Sequence, residues 1–235
     1  MTKSFLTTDL LEEWHTASDY LGWARSLVER VKSEPGGLER ILLRTGLGKP
    51  LMEEAIPIGL LASKYFDGSS DVRIALKLGS QNFDATVSDG RGEGGSVSHI
   101  EVTLAHEGED QYLRNLHLLE KGYVSDFGPV TKHGTKKTEL SVQVEGKMKS
   151  QAEVIQCERC LVSDAIERKL GKHYPPGTLL LVGFDDRMAF DRKDNIANLE
   201  SVVAEYLPRL KAFHTLAIVG LHQGILLSWR TSDAT

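Results

Sequence analysis

The sequence Val72-Arg-Ile-Ala-Leu-Lys-Leu78 is followed by Phe83-Asp-Ala-Thr-Val87 and by His99-Ile-Glu-Val-Thr-Leu-Ala105. Each segment is short and rich in β-branched or apolar residues, and turn-forming residues separate the three, which predicts three successive strands. Because side chains alternate across a strand, residues two apart share a face. Asp84 and Glu101 are therefore expected within strands, each on the face opposite to that of its apolar neighbours.

These two acidic residues are the most informative feature of the segment. If the second and third strands pair as a hairpin, the carboxylates of Asp84 and Glu101 converge on one face. Two such carboxylates repel each other unless a cation lies between them or one of them binds a proton. A Mg²⁺ ion held by one or two carboxylates, water and substrate phosphate would meet that need. The alternative is an antiparallel sheet with a solvated polar face, and the sequence leaves both interpretations open.

The composition is that of an ordinary globular protein. The chain has 235 residues, of which 40% are hydrophobic and 26% charged, enough for one large domain or for one domain with an appendage. The formal net charge of −5 excludes a highly basic nucleic-acid coat protein, but it leaves room for an enzyme with a local basic patch. No apolar run approaches the roughly 20 residues of a membrane span, so no membrane partner is expected.

Two further features predict a cytoplasmic location. The N-terminal residues lack the apolar core of a secretory signal. The two cysteines of the chain, Cys157 and Cys160, cannot form a disulfide framework. A structural zinc site needs four ligands, and no second pair of cysteines completes one, so the two residues are expected to be neighbours on a helix.

The first 48 residues predict a helical N-terminal arm. Apolar residues recur at helical spacing over Asp9–Lys32, with a break near Ser18 left open, and a short helix is expected over Leu38–Leu43. A break rich in glycine and proline follows. We therefore divide the chain into an arm, residues 1–48, and an α/β core domain, residues 49–235.

The core domain is expected to begin with a helix over Leu51–Phe66. Glu53 and Glu54 lie in its first turn, where acidic residues interact favourably with the helix dipole. Pro57 is unfavourable inside a helix because it has no N–H to donate. It would therefore move the start of the helix to about residue 56.

Helices and strands alternate in the remainder of the chain, where Thr178–Phe184 is apolar on both faces, as expected of a central buried strand. The pattern as a whole predicts a mixed α/β sheet with helices on its faces. Helices are expected over Glu107–Lys121, Gln151–His173 and Asp194–Leu210, and strands over Leu140–Val144, Thr178–Phe184, Thr215–Leu221 and Gly224–Trp229.

This order of elements, with its acidic residues, resembles the PD-(D/E)XK nuclease superfamily, which has the restriction-endonuclease-like fold. In that family a helix that often carries an acidic residue precedes a strand, a strand with a metal-binding Asp, a strand with Glu-x-Lys, a helix and a further strand. The matching residues are Glu53 or Glu54, then Asp84 in Phe-Asp-Ala-Thr-Val, and Glu101 in His-Ile-Glu-Val-Thr-Leu-Ala. The resemblance covers residues 50–184 and leaves the arm outside.

The resemblance implies a metal site. Asp84, Glu101 and the backbone carbonyl of Val102 would bind Mg²⁺ or Mn²⁺, with Glu54 as a further ligand. Phosphodiester hydrolysis needs such an ion to neutralise the transition state and to generate hydroxide at neutral pH.

The chain departs from the family pattern at one position. It has Thr103 where the family has a lysine that is thought to activate water and to stabilise developing charge. Family members are known to supply this lysine from a neighbouring element. Lys169 or Arg168 on the predicted helix Gln151–His173 would take its place here, and Lys77 on the preceding strand is a second candidate.

The expected function is that of a metal-dependent nuclease acting on DNA, with Asp84, Glu101 and Lys169 as catalytic residues. The alternative is a non-catalytic interaction or immunity-type protein that retains the fold and binds a protein partner. A homodimer is left open. A small-molecule hydrolase has no support, because the sequence contains no Gly-x-Ser-x-Gly elbow.

Three other groups of residues are expected to be structural or solvated. Asp185 and Asp186 follow a buried strand and predict a solvated turn, although a second acidic site there is the alternative. His99 and His106 flank the third strand and are expected to be polar partners. The densest basic cluster consists of Lys132, His133, Lys136 and Lys137.

Overall fold

A seven-stranded mixed sheet organises the chain. The computed structural model describes residues 4–92, 97–125, 128–134, 141–187, 192–222 and 224–231. Within these residues, seven strands form one sheet and two more form a small antiparallel sheet. The strands are β1 (His15–Thr16), β2 (Val72–Leu76), β3 (Ala85–Asp89), β4 (His99–Ala105), β5 (Val130–His133), β6 (Ser141–Val144), β7 (Thr178–Phe184), β8 (Thr215–Gly220) and β9 (Leu226–Arg230).

The large sheet combines antiparallel and parallel pairs in the order β1-β2-β3-β4-β7-β8-β9. The pairs from β1 to β4 are antiparallel. Strands β4, β7 and β8 run parallel, and β9 returns antiparallel along β8. Parallel neighbours need long crossover connections, and here those connections contain helices. The predicted class, an α/β fold with a mixed sheet flanked by helices, is confirmed.

Helices cover both faces of the sheet. In the described part of the chain, none of them is long and apolar enough to cross a membrane. The helices are α1 (Thr8–Leu11), α2 (Tyr20–Lys32), α3 (Gly37–Leu42), α4 (Gly48–Pro50), a π-helix (Leu51–Ala55), α5 (Ile56–Tyr65), α6 (Glu109–Lys121), α7 (Gln151–Glu167), α8 (Arg192–Tyr206) and a 3₁₀ turn (Leu207–Arg209).

Alternation along the central strands divides the core between the two faces. In β7, Leu179 and Leu181 pack on one face, and Leu180 and Val182 pack on the other. Buried residues of α2 and α5 belong to the first core, and those of α7 and α8 belong to the second. Burial on both faces explains why the β7 sequence is apolar throughout.

The N-terminal residues belong to the first of these cores. The helix predicted over Asp9–Lys32 is divided into α1 and α2 by strand β1, which pairs with β2. The Thr16 hydroxyl contacts the hydroxyl of Ser18 and donates to the carboxylate of Asp19, both at 2.7 Å. Such local hydrogen bonds compete with a helix, and the helix is interrupted between Leu11 and Tyr20, the region that includes Ser18. Of the segment 1–48, predicted as an arm, the described residues 4–48 contribute an edge strand to the sheet and apolar side chains to its core.

The helix predicted over 51–66 begins earlier and contains a π-helical turn. Helix α4 leads into the π-helix Leu51–Ala55, and α5 continues from it. The N–H of Ile56 donates to the carbonyl five residues back. Pro57 has no N–H to donate, and its ring would crowd the carbonyl four residues back in a regular helix. A wider turn accommodates the proline, and Glu54 lies in that turn.

The connection between β4 and β7 includes the small antiparallel sheet. Only one strand was predicted in this region, so β5 was missed. The reason is that β5 has a single apolar residue and is largely exposed.

In the basic cluster, Lys132 forms an ion pair with Glu109 at 2.5 Å. Lys136 and Lys137 lie outside the described residues.

Candidate functional site

Strand β3 begins opposite Ile100 and leaves a gap beside the rest of β4. Only the first two residues of β3 pair with β4, although β4 continues to Ala105. The strand was predicted to start at Phe83, but it begins at Ala85, so Asp84 lies one residue before it. The N–H of Asp84 donates to the Ile100 carbonyl at 2.8 Å, which holds this residue at the edge of the gap.

The side chain of Asp84 reaches across the gap to β4. Its Oδ2 accepts a hydrogen bond from the N–H of Val102 at 2.7 Å. The N–H and the C=O of one strand residue point to the same side, so the Val102 carbonyl is directed into the gap as well. A carboxylate and a backbone carbonyl therefore face the same space.

Glu101 supplies a second carboxylate from the middle of β4. Its neighbours Ile100 and Val102 pack in the first core, so alternation directs Glu101 toward the other face, where α7 lies. The residue is only 7% exposed. Its Oε1 accepts a hydrogen bond from Nζ of Lys169 at 2.6 Å. The structure thus brings Glu101 and Lys169 into direct contact.

Lys169 approaches Glu101 from a turn rather than from a helix. The helix predicted over Gln151–His173 ends at Glu167. Gly171 follows with a φ of +73°, in the left-handed region that commonly ends helices. The Tyr174 hydroxyl donates to the Lys169 carbonyl at 3.3 Å and ties this turn to the chain that leads into β7.

The carboxyl group of Asp84 is perturbed by its surroundings. Burial raises its pKa to about 6, and the nearby carboxylate of Glu101 adds to the rise. The N–H of Val102 and the ammonium groups of Lys169 and Lys172 oppose it. Desolvation and carboxylate repulsion therefore outweigh the favourable contacts of this group.

Glu54, in the π-helical turn, is perturbed in the same direction. Burial raises its pKa to about 8, with further contributions from Asp84, Glu53 and Glu101, while Lys49 opposes the rise. Several carboxyl groups thus lie close enough to raise the pKa of Glu54. Such a group of carboxylates favours a bound cation or a retained proton.

A cavity of about 500 Å³ is lined by Asp84, Glu54 and Lys169, whereas Glu101 lies behind the ammonium of Lys169 and is not part of the lining. In the described part of the chain, no group of three or more His, Cys, Asp or Glu side chains is arranged to hold a metal ion. A donor set of two carboxylates and a backbone carbonyl remains, and these oxygens suit Mg²⁺, which retains several waters, better than Zn²⁺. The residues that line the cavity include Glu54, Asp84, Val102, Thr103, Arg168 and Lys169.

The hydroxyl of Thr103, the residue at which the sequence departs from the nuclease pattern that it resembles, faces an arginine. Nη2 of Arg168 lies 3.4 Å from Oγ1 of Thr103 and donates to the Leu104 carbonyl at 2.9 Å. The backbone N–H of Lys77 donates to the Asp84 carbonyl at 2.8 Å. Among the cations considered from the sequence, Lys169 is the one for which the structure gives a contact with Glu101.

The cavity also contains residues that the sequence analysis missed or set aside. Lys49 and Glu53 line it, and Arg44 donates to the Glu53 carboxylate at 3.2 Å. His106 lines it too, whereas His99 packs against an aromatic ring. No local pattern marks Arg44 or Lys49, because they precede the π-helix and reach the site only when that turn packs against β4.

The remaining sequence candidates lie outside this cavity. Asp185 forms an ion pair with Arg187 at 2.5 Å, and the buried carboxylate of Asp186 accepts a backbone N–H of the loop after β8 at 2.7 Å. Cys157 and Cys160 are free thiols on α7.

Comparisons of the chain with protein-family profiles, with curated proteins and with solved structures found no match.

Proposed function

We propose that this protein is a metal-dependent nuclease that hydrolyses phosphodiester bonds in DNA. The observation that carries the proposal is that Asp84 binds the N–H of Val102, while the preceding residue, Glu101, binds Lys169. Two carboxylates and an ammonium group, drawn from three separate segments, are the set that the resemblance to PD-(D/E)XK nucleases implies.

The donor oxygens support Mg²⁺ or Mn²⁺ as the cofactor. Asp84 and Glu101 would bind the ion, with the Val102 carbonyl as a neutral third ligand and Glu54 in the same cavity as a further one. Bound there, the ion supplies positive charge to the reacting phosphate and promotes ionisation of the attacking water. The raised pKa of Asp84 fits this assignment, because a cation relieves the repulsion that contributes to it.

Lys169 provides the cation that Thr103 cannot provide. An ammonium group has three N–H donors, so Lys169 can bind Glu101 and still donate to a phosphate oxygen. A positive charge held beside the reacting phosphate stabilises the negative charge that develops in the transition state. Glu101 would thus have two tasks, to bind the metal ion and to hold the ammonium in place.

The order of elements is consistent with the resemblance. The π-helix that carries Glu54 leads into α5, and β2, β3 and β4 follow. Helix α7 and the buried strand β7 come next, and Lys169 lies between them. The chain departs from the family order by the insertion of α6, β5 and β6 between β4 and α7.

A second candidate is a non-catalytic interaction or immunity-type protein that retains the fold. The ion pair between Lys169 and Glu101 favours it, because the ammonium already compensates the buried carboxylate without a metal ion. In that case the cavity binds no divalent ion and the partner is another protein.

Hydrolysis assays test the nuclease proposal. The purified protein is incubated with plasmid, linear duplex and single-stranded DNA in Mg²⁺, in Mn²⁺ and in EDTA. We expect hydrolysis that requires a divalent ion and that falls by about 100-fold or more in Asp84→Asn, Glu101→Gln and Lys169→Gln. Asp71→Asn is the matched control, because this acidic residue lies in an exposed turn.

Calorimetry of Mg²⁺ binding separates the two candidates. Binding by the wild type that is lost in Asp84→Asn and Glu101→Gln supports the metal site. A wild-type protein that neither binds Mg²⁺ nor hydrolyses any of the DNA substrates contradicts the nuclease proposal and favours the interaction protein.

A further inference from the structure

His106 lines the cavity together with positively charged side chains. Lys49, Arg168 and His106 line the cavity that contains Asp84. Arg44 lines an adjoining cavity together with Lys49 and His106. We refer to Arg44, Lys49, Arg168 and His106 as the cation cluster. Its members come from three segments of the chain, before the π-helix, after β4 and after α7.

The charges of the cluster are only partly balanced by its own contacts. One carboxylate, that of Glu53, lies 3.2 Å from Arg44 and 3.9 Å from Lys49. Arg168 is anchored by uncharged oxygens, the Leu104 carbonyl and the Thr103 hydroxyl. These contacts hold the guanidinium in place without neutralising it.

His106 contributes an N–H donor in a fixed tautomer. The backbone N–H of Gly108 donates to Nδ1 of His106 at 2.9 Å. Because a backbone N–H can only donate, Nδ1 carries no hydrogen, and the neutral ring has its hydrogen on Nε2. Gly108 has a φ of +59°, a conformation that glycine adopts without strain. The turn after β4 therefore fixes which nitrogen can donate to a ligand.

The electrostatic environment of His106 is positive. Burial lowers its pKa, and the charges of Arg44, Arg168 and Lys49 lower it further, while Glu53 opposes them. His106 also follows the carboxyl end of β4, the edge at which open α/β sheets form their ligand crevices. The position and the charge of the cluster both suit an anion.

We propose that the cation cluster is a second phosphate site, which holds the phosphate next to the scissile one in a nucleic-acid strand. This inference rests on the proposed function for the scissile phosphate, and it assigns the substrate class as an oligonucleotide strand rather than a phosphomonoester. Nη2 of Arg168 is engaged with Leu104 and Thr103, so the guanidinium would donate to the phosphate from Nη1 or Nε. His106 donates from Nε2, and Arg44 and Lys49 add positive charge.

Strand binding by variants of the cluster tests the proposal. The probe is a short fluorescent single-stranded oligonucleotide, measured by anisotropy with Ca²⁺ in place of Mg²⁺, and a gel checks that the strand remains uncut. We expect Arg168→Gln, His106→Ala and Arg44→Gln each to weaken binding about 5- to 20-fold, and Arg168→Lys to weaken it less. The slope of log affinity against log salt should fall by about 0.7 for each phosphate that a variant no longer neutralises.

Two controls accompany these measurements. Arg25→Gln removes an exposed arginine of α2 and should bind the strand like the wild type. Calorimetry should give unchanged Mg²⁺ affinity for every variant of the cluster, because the carboxylate site remains intact. Variants that bind the strand as tightly as the wild type, or that lose Mg²⁺ affinity together with strand affinity, overturn the proposal.

The two proposals fail in different ways. If the wild type binds the strand through the cluster but does not hydrolyse DNA in Mg²⁺, the phosphate-site proposal stands and the nuclease proposal fails. If the wild type hydrolyses DNA and the cluster variants retain full affinity for the strand, the nuclease proposal stands and the phosphate-site proposal fails. A wild-type protein that binds no strand overturns the phosphate site even if it binds Mg²⁺.

Discussion

Nζ of Lys169 lies 2.6 Å from Oε1 of Glu101, although 68 residues separate them in the chain. The two side chains are 16% and 9% exposed, so the contact is largely shielded from water. A buried charge that loses its partner is costly, because water no longer compensates it. The contact therefore connects the turn after α7 to β4 and fixes the geometry of the candidate site.

Replacing Lys169 by Gln should lower the free energy of unfolding by about 2 kcal/mol, because Glu101 would be left as an unpaired carboxylate. Urea denaturation without divalent ions measures the change. The double variant Lys169→Gln/Glu101→Gln should recover much of the loss, because no unpaired charge remains. A double variant that is no more stable than Lys169→Gln would show that the ion pair does not account for the effect.

Stability without divalent ions should fall as the pH rises from about 4 to about 8. The pKa of Asp84 is raised from 3.8 to about 6, and that of Glu54 from 4.5 to about 8. In that range these two groups bind more protons in the folded protein than in the unfolded chain, so their contribution to stability falls as the pH rises.

Variants of the two acidic residues isolate these contributions. Relative to the wild type, Asp84→Asn should remove the part of the loss that occurs below about pH 6, and Glu54→Gln should remove the part that extends to about pH 8. At pH 9, Glu54→Gln should be more stable than the wild type by on the order of 2 kcal/mol. Urea denaturation across the pH range measures this, and parallel curves for Glu54→Gln and the wild type would refute it.

Mg²⁺ should stabilise the protein by mass action. At a free concentration 100 times its Kd, the ion adds about 2.7 kcal/mol to the free energy of unfolding, and EDTA should reverse the gain. The gain should be smaller at pH 5 than at pH 8, because Asp84, with a pKa of about 6, is protonated at pH 5. Thermal denaturation measures the effect, and an equal gain in Asp84→Asn would place the ion elsewhere.

Two helical glycines should respond in opposite directions to alanine. A Cβ at Gly59 in α5 would lie 2.9 Å from Cα of Leu21 in α2, so Gly59→Ala should destabilise the protein by about 1–3 kcal/mol. A Cβ at Gly22 would meet nothing within 4 Å, so Gly22→Ala should stabilise it by about 0.5–1 kcal/mol. Chemical denaturation compares the two variants, and similar effects would show that α2 and α5 do not pack this closely.

Local sequence patterns were sufficient to predict the bounds of two central strands, β4 and β7. The bounds predicted for β4 and for β7 agree with the structure, because alternation and continuous apolarity are visible within a few residues. The same reasoning was less complete over Asp9–Lys32, where it left a break near Ser18 open but missed strand β1, whose pairing with β2 interrupts the helix. It also placed Asp84 inside strand β3, which begins at the next residue, Ala85.

The sequence predicted that Asp84 and Glu101 converge if their strands pair as a hairpin, because a short hairpin sets its own register. It named Lys169 as a substitute for the missing lysine, but the contact with Glu101 depends on how α7 ends and packs across the sheet. Arg44, Lys49 and His106 carry no local signal of their role. Hydrophobic periodicity is a property of neighbouring residues, whereas the meeting of charges from distant segments is set by the packing of helices on the sheet.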